Sequence, residues 1–557
     1  MPGPRRTRVG FPVRPRVGRR RERIEILDPS LGFDSSAPAT ELEPGRTPES
    51  RNFVTDFKAI TPRSGLSVYG TATDVVTPVI GSREVLDDTG RWFAVAASSR
   101  TVRILEADPS PTWQTLAFDG VDTPSGLSRD YWSIDYIFNP GRSQNMVVLT
   151  NNVNQPKWFL TDGPTATLSD YTFLNSFMST AKSVQQIDDR ITFFNVREKG
   201  VRQPTRLVYT PRGLPTSDSI FAGAGAVDVP GMQGVGQAHI RDKEGLLLFT
   251  DREIFRARVR RDFFAFDFFP LTQDIGCPFP RTIANVPAGV MFVAQDLELY
   301  ILSGNVLVPL GPSERGKPSR VKQLLTDEMS EGALMWATYN PGKNRYELYY
   351  KTTSGSFPRR ALFYDFETGS LMQQRFTHEL SHGFPFSDPA GIGGLFWDDV
   401  NETWDQVSTV WDDAGQPREA PRAGVDIMVF GSAGTSYRFR SDQTTDDGTA
   451  IDCRWRSHGM AGRDRLGFER LHEVWTEYEA ASASSASVFC SYDLGTNFDA
   501  GFALSLKSSS HSVEFAPVDC EARAPQFEIR LQDGGTPRIH SFQAKLLPSG
   551  SAFGGGF

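Results

Sequence analysis

Cysteine is scarce: Cys277, Cys453, Cys490 and Cys520 are widely scattered along 557 residues, and none belongs to a CxxC pair. Zinc and thioredoxin-like sites built from paired thiols are excluded, and free thiols in a reducing compartment are expected. Uncharged apolar runs of the roughly 18 residues that a membrane helix needs are also missing. The best candidate, GVMFVAQDLELYILSG, is broken by Asp296 and Glu298, so a soluble protein is expected. The seven histidines are dispersed. Neither GxxxxGK[ST], nor GxGxxG between a strand and a helix, nor GxSxG occurs, which leaves phosphate cradles and nucleophile elbows without support. No catalytic residue, metal ligand set or cofactor is expected on these grounds.

Charge is distributed unevenly. The formal net charge is −8, yet the first 24 residues carry Arg5, Arg6, Arg8, Arg14, Arg16, Arg19, Arg20, Arg21 and Arg23 against one glutamate. A basic arm thus precedes an acidic body. With no apolar stretch the arm is not a secretory signal, and its prolines and glycines oppose an amphipathic transit helix. It reads either as a solvated tail or as a contact for an acidic partner or nucleic acid, since clustered guanidinium groups attract and pair with carboxylate and phosphate.

Glycine (50) and proline (37) are frequent, and between them the apolar pattern has period two or forms short continuous runs. That predicts a mainly β chain. One unit recurs: a buried run, a small-residue turn and an alternating strand. It begins at Phe93, Leu247, Met291 and Ile427. The offsets approximate whole or half multiples of about 45 residues, the size of a four-stranded propeller blade. Hairpins such as WSIDYIFNPGRSQNMVVLTN and ATYNPGKNRYELYY fill the gaps. The reading is a six- or seven-bladed β-propeller over residues 25–440, after an arm at 1–24 and before a C-terminal β-sandwich at 441–557. A helix is predicted within 312–332 from Val321, Leu324, Leu325 and Met329. Residues 379–423 form a long excursion.

Three motifs invite chemistry. HELSH, residues 378–382, matches the HExxH of zinc peptidases, with Glu402 as a conceivable third ligand. It follows a hairpin and runs into Gly383, Pro385 and Pro389, so the expectation is a surface loop with two ordinary histidines. SYDLGTNF, from Ser491, nearly matches the Asp-box of sialidase-type propellers, a hairpin turn without chemistry. Arg256, Arg258 and Arg260 alternate along a strand and predict a solvated or partner-facing outer face.

Several segments together resemble the tail hub and nozzle proteins of short-tailed phages. They are LEPGRTPESRNFVTDFKAITPRSGLSVYG with its Arg63-Ser64-Gly65, DRITFFNVREKGVRQPTRLVYT, QDIGCPFPRTIANVPAGVMFVAQDLELYILSG, and the terminal sandwich from about residue 447. The resemblance implies a non-enzymatic virion protein, assembled in the host cytoplasm. It implies a homo-oligomeric ring, with six copies favoured, below the head-to-tail connector. Such a ring extends the channel for double-stranded DNA, retains packaged DNA, takes part in its ejection and meets fibres or spikes. An acidic channel would let DNA slide. The rival reading is a carbohydrate-binding or carbohydrate-cleaving propeller, which needs convergent carboxylates at its mouth.

Within the excursion, Trp397, Trp404 and Trp411 precede aspartates at a spacing of seven. WD repeats recur once per blade, so that reading fails. The expectation is a set of aromatic anchors in a groove at a blade edge or subunit contact, with the aspartates forming turns.

Overall fold

The computed structural model describes residues 22–548 apart from 35–37, 57, 73–76, 87–91, 107–110, 162–165, 261–264, 311–318, 388–424, 441–442, 461–467, 494, 500 and 532–534. The arginines from Arg5 to Arg21 and the three excursion tryptophans lie outside the described residues. Among those described, no helix is long and apolar enough to cross a membrane.

Six antiparallel sheets follow one another along the chain, each with strands in up-and-down order. Blade one holds Val79–Leu86, Trp92–Ser98, Val102–Glu106 and Thr112–Thr115, and blade two Ser133–Asn139, Gln144–Thr150, Lys157–Leu160 and Thr167–Asp170. Blade three holds Thr180–Ile187, Arg190–Glu198, Val201–Tyr209 and Gly225–Asp228. Blade four holds Gly236–Arg241, Leu246–Thr250, Ile254–Val259 and Phe266–Thr272. Blade five holds Ala284–Val286, Gly289–Val293, Leu299–Ser303 and Val306–Pro309, and blade six Trp336–Asn340, Arg345–Tyr350, Arg360–Asp365 and Leu371–Arg375. A seventh blade combines Leu380–Ser387, Val425–Gly431 and Ser436–Arg440 with Gly65–Val68 from near the start of the chain. The first strand of blade seven packs against that of blade one, so the described strands close a seven-bladed ring.

Local chemistry explains the blades. Second strands such as Leu246–Thr250 are buried along their whole length, because neighbouring blades cover both faces of each sheet. That is why four of them, in blades one, four, five and seven, stand out in the sequence as apolar runs. In blade three the first hairpin turns on Asp188 and Asp189, with φ of 47° and 55°. Two left-handed residues in succession match the twist of a tight hairpin. The helix Arg320–Glu328 is capped by Ser319, whose hydroxyl accepts from the Lys322 amide. It buries Val321, Leu324 and Leu325 between blades five and six.

The sandwich pairs two sheets around Trp455, Phe527 and Phe542, with the Trp455 and Phe542 rings stacked at 4.8 Å. One sheet contains Glu469–Ala480, Ser509–Ala522 and Arg538–Pro548, joined by Glu22–Ile26, Phe53–Asp56 and Ala59–Pro62. The other contains Cys453–Arg456, Gln526–Leu531, Ser484–Ser491 and Phe502–Leu506, and runs through Ser50–Arg51 directly into the outer strand of blade six. The boundaries expected at residues 24 and 440 cut across these pairings. Arg23, expected in the arm, sits on Glu22–Ile26 opposite Lys545. All four cysteines are free and buried.

Where the borrowed strand enters blade seven, Arg63 meets Asp446 at 2.5 and 2.8 Å, and both side chains are almost wholly buried. The guanidinium also lies over Phe376 at 4.3 Å and donates to the Arg375 carbonyl. Asp446→Ala leaves that cation buried without its partner, a loss of about 3–5 kcal/mol. Urea unfolding should show it as a lower midpoint, and the Arg63→Met, Asp446→Leu double variant should recover a substantial part.

Candidate functional site

The first strands of the blades surround the propeller axis, and their downstream ends border a cavity of about 1010 Å³. It is touched by Arg83, Asp135, Gln186, Arg241 and Asn285, one from each of blades one to five. Only a space on the axis can meet five consecutive first strands. Gln186 and Arg241 sit at or next to the ends of their strands, while Arg83, Asp135 and Asn285 lie within theirs.

A belt of hydrogen bonds joins blade to blade at this mouth. The Ser387 amide of blade seven donates to Glu84 of blade one at 2.6 Å. Arg83 donates to the Ile134 carbonyl and pairs with Asp135 at 3.0 Å. Asp135 accepts from the Gln186 amide at 2.6 Å, and Gln186 accepts from Arg241 at 2.9 Å. Asn285 then donates to the Arg241 carbonyl at 3.1 Å. The Asp242–Gly245 turn beside the belt holds Arg256, which is only 1% exposed. Arg256 meets Asp242 at 2.6 Å and Glu244 at 2.7 Å, and reaches across to Gly304 and Asn305 of blade five. The solvated face expected for Arg256 is therefore corrected. Blade five covers it, and only Arg258 and Arg260 remain exposed, on Glu244 and Asp267.

This chemistry is suited to binding a polar, neutral surface. Arg258 and Arg256 hold the Glu244 carboxyl below its ordinary range, so it accepts hydrogen bonds and does not donate protons. Tyr136 and Phe138 add aromatic surface, and Phe138 is half exposed at the lip. A carboxyl raised by burial does occur in Glu347, but it is sealed inside blade six by Tyr349 and Asn340. Sequence reasoning missed this mouth. Its signal is one polar residue in each of five successive first strands, and it becomes visible only once blades are aligned.

The sequence motifs fall elsewhere. HELSH is corrected from a surface loop to the start of the innermost strand of blade seven, with Leu380, Phe384 and Phe386 buried. His378 stacks on Tyr437 at 5.0 Å, while His382 meets the Trp336 edge at 5.7 Å. A strand sends these histidines to separate surroundings. Among the described residues no group of three or more His, Cys, Asp or Glu side chains is placed to hold a metal ion. The Asp493 turn lies in the sandwich, where its carboxylate accepts from the Asn497 amide at 2.8 Å.

Two buried histidines and the half-buried His382 are held neutral. Burial pushes His239 down to about 3 and His458 to about 4, and burial together with Arg281 takes His382 well below its ordinary value. The unfolded chain therefore protonates first, near pH 6.5. Their contribution is complete above that pH and is lost as pH falls, by about 1.4 kcal/mol per unit for each histidine. Denaturant unfolding between pH 7.5 and 5 should show this decline, and His239→Gln should make it shallower.

No family model and no curated protein matches the chain. Among solved structures it is similar to an exo-β-1,3-galactanase from Phanerochaete chrysosporium, with 8% identity, a TM-score of 0.27, and coverage of 87% of this chain and 99% of that one. It is also similar to a glycoside hydrolase family 43 arabinoxylan arabinofuranohydrolase from Bacillus subtilis, with 9% identity, a TM-score of 0.25, and coverage of 85% and 96%. PorZ, a surface component of the type-IX secretion system of Porphyromonas gingivalis, is similar at 10% identity and a TM-score of 0.32, over 82% of this chain and 46% of PorZ. At such TM-scores the likeness carries nothing about substrate or chemistry. The expectation of a non-enzymatic phage tail hub or nozzle, ringed below a connector around DNA, is withdrawn: the similar structures are two glycan hydrolases and a secretion-system component, and none is a tail protein. Within the propeller, the segments behind the resemblance supply the closing strand Gly65–Val68 and the hairpins of blades three and five.

Proposed function

We propose that this chain acts on carbohydrate, taking a glycan into the axial cavity at the downstream mouth. The observation that carries this reading is the composition of a space of about 1010 Å³. Cationic donors, carboxylate acceptors and side-chain amides converge there from five blades, beside the exposed ring of Phe138. A sugar presents hydroxyls that both donate and accept, together with an apolar C–H face. The ion-paired walls offer both kinds of partner without attracting one sign of charge, and an aromatic ring offers a surface for the C–H face. The size lies at the upper end of ligand pockets and is ample for more than one sugar ring.

Titration calorimetry of the full chain against a panel of neutral oligosaccharides should identify at least one that binds. Phe138→Ala, a change at an exposed position, should weaken that binding roughly tenfold, about 1.4 kcal/mol, without altering the melting temperature. Absence of binding across the panel, or binding indifferent to Phe138→Ala, would refute the assignment of this mouth. Release of reducing ends during incubation would add hydrolysis to binding.

A further inference from the structure

The upstream mouth, where the first strands begin, has the opposite character. Arg281, in the Pro280–Thr282 turn leading into blade five, donates to the Ser381 carbonyl of blade seven at 2.5 Å and lies 3.2 Å from His382. Tyr131, ahead of blade two, donates to the Gln237 carbonyl of blade four at 3.0 Å. Each of these bonds skips a blade, and a bond that skips a blade can only run across the axis. Lys182 of blade three reaches the same place, with its ammonium on the Gln237 side-chain oxygen.

The cations here make no ion pair among the described residues. Arg281 is 7% exposed, and its Nε and Nη1 groups are buried without a hydrogen-bond partner. Arg202, beside Lys182, rests on Asn195 and Asn152. Among the described residues none of the three cations contacts a carboxylate. Asp130 and Asp251 act on Lys182 only from a distance and are engaged with the amides of Leu127 and Val235. His382 is neutral. A guanidinium stays charged in any protein interior, and a buried cation without a counter-charge is among the costliest arrangements a fold can hold. Burial, with Arg202 adding to it, draws Lys182 down to about 8 against the opposing pull of Asp251 and Asp130, and burial draws Arg281 to about 10.

We propose that the upstream mouth of the axis binds a small monovalent anion, a halide or a carboxylate, between Arg281 and Lys182. Nε and Nη1 face different edges of the guanidinium, so a compact acceptor meets one of them, and the forked grip used for phosphate does not form between the two. Such an anion would link blade three to the turn leading into blade five. The site is independent of the glycan reading.

Thermal unfolding of the full chain at pH 7 and constant ionic strength, titrated with sodium chloride, sodium bromide or sodium acetate against sodium sulfate, tests this. The expected result is a saturable rise in melting temperature with the halides or with acetate, and which of them acts identifies the source. Lys182→Met should shift half-saturation tenfold or more to higher concentration. Arg281→Gln should abolish the response, and Arg281→Lys should restore part of it. Bromide-soaked crystals should show anomalous density between the two cations. A flat response in every salt, an equal rise in all four, or a response that survives Lys182→Met unchanged would overturn the proposal.

Discussion

A ring of sheets exists only if its ends are joined, and here the joint is the strand Gly65–Val68 laid on Ser436–Arg440. The backbone ladder alone would be a short edge-to-edge contact. What locks it is the dry ion pair of Arg63 with Asp446 beneath it, covered by the Phe376 ring. Gly65 makes the approach possible, because a Cβ there would come within 2.2 Å of the Thr445 carbonyl. The same stretch of chain builds the sandwich. Asn52, in the left-handed region, donates to the Asp452 carbonyl and accepts from the Arg375 amide, fastening sandwich, clasp and blade six together. Opening the ring therefore also disturbs the sandwich, and the two units stabilise one another.

Closure gives the axis two mouths of different chemistry. Downstream, every bridge between blades one to five is a hydrogen bond or an ion pair between unlike partners, so the walls are polar and locally neutral. Upstream, cations face amides, carbonyls and a neutral histidine. In a low-dielectric shaft this asymmetry is amplified, because charges that water would screen act on one another directly. One mouth can meet hydroxyl-rich surfaces, while the other attracts negative charge.

Misreadings of the sequence share one physical origin. HELSH looked like a loop because prolines and glycine follow it, yet Leu380, Phe384 and Phe386 bury in successive gaps between blades and hold the segment as a strand. Arg256 looked solvated because it alternates with apolar residues. The strand does alternate, but the turn of the next blade covers its polar face, and two acids neutralise it there. In a ring of stacked sheets both faces of a strand are interior, so alternation no longer separates core from solvent. The phage resemblance failed for a related reason: strand closure and hairpin turns are requirements of the architecture and carry no function.

By itself the sequence determined the mainly β character, the blade-sized repeat, the sandwich strands and the helix around Val321, because hydrophobic period and turn residues are local properties. Only the tertiary structure decided that there are seven blades, since the seventh takes a strand from hundreds of residues away. It alone also placed Arg83, Asp135, Gln186, Arg241 and Asn285 around one cavity, and Arg281 and Lys182 at the upstream mouth. These residues are brought together by the closing of a ring, a constraint of geometry that leaves no trace in any short stretch of chain.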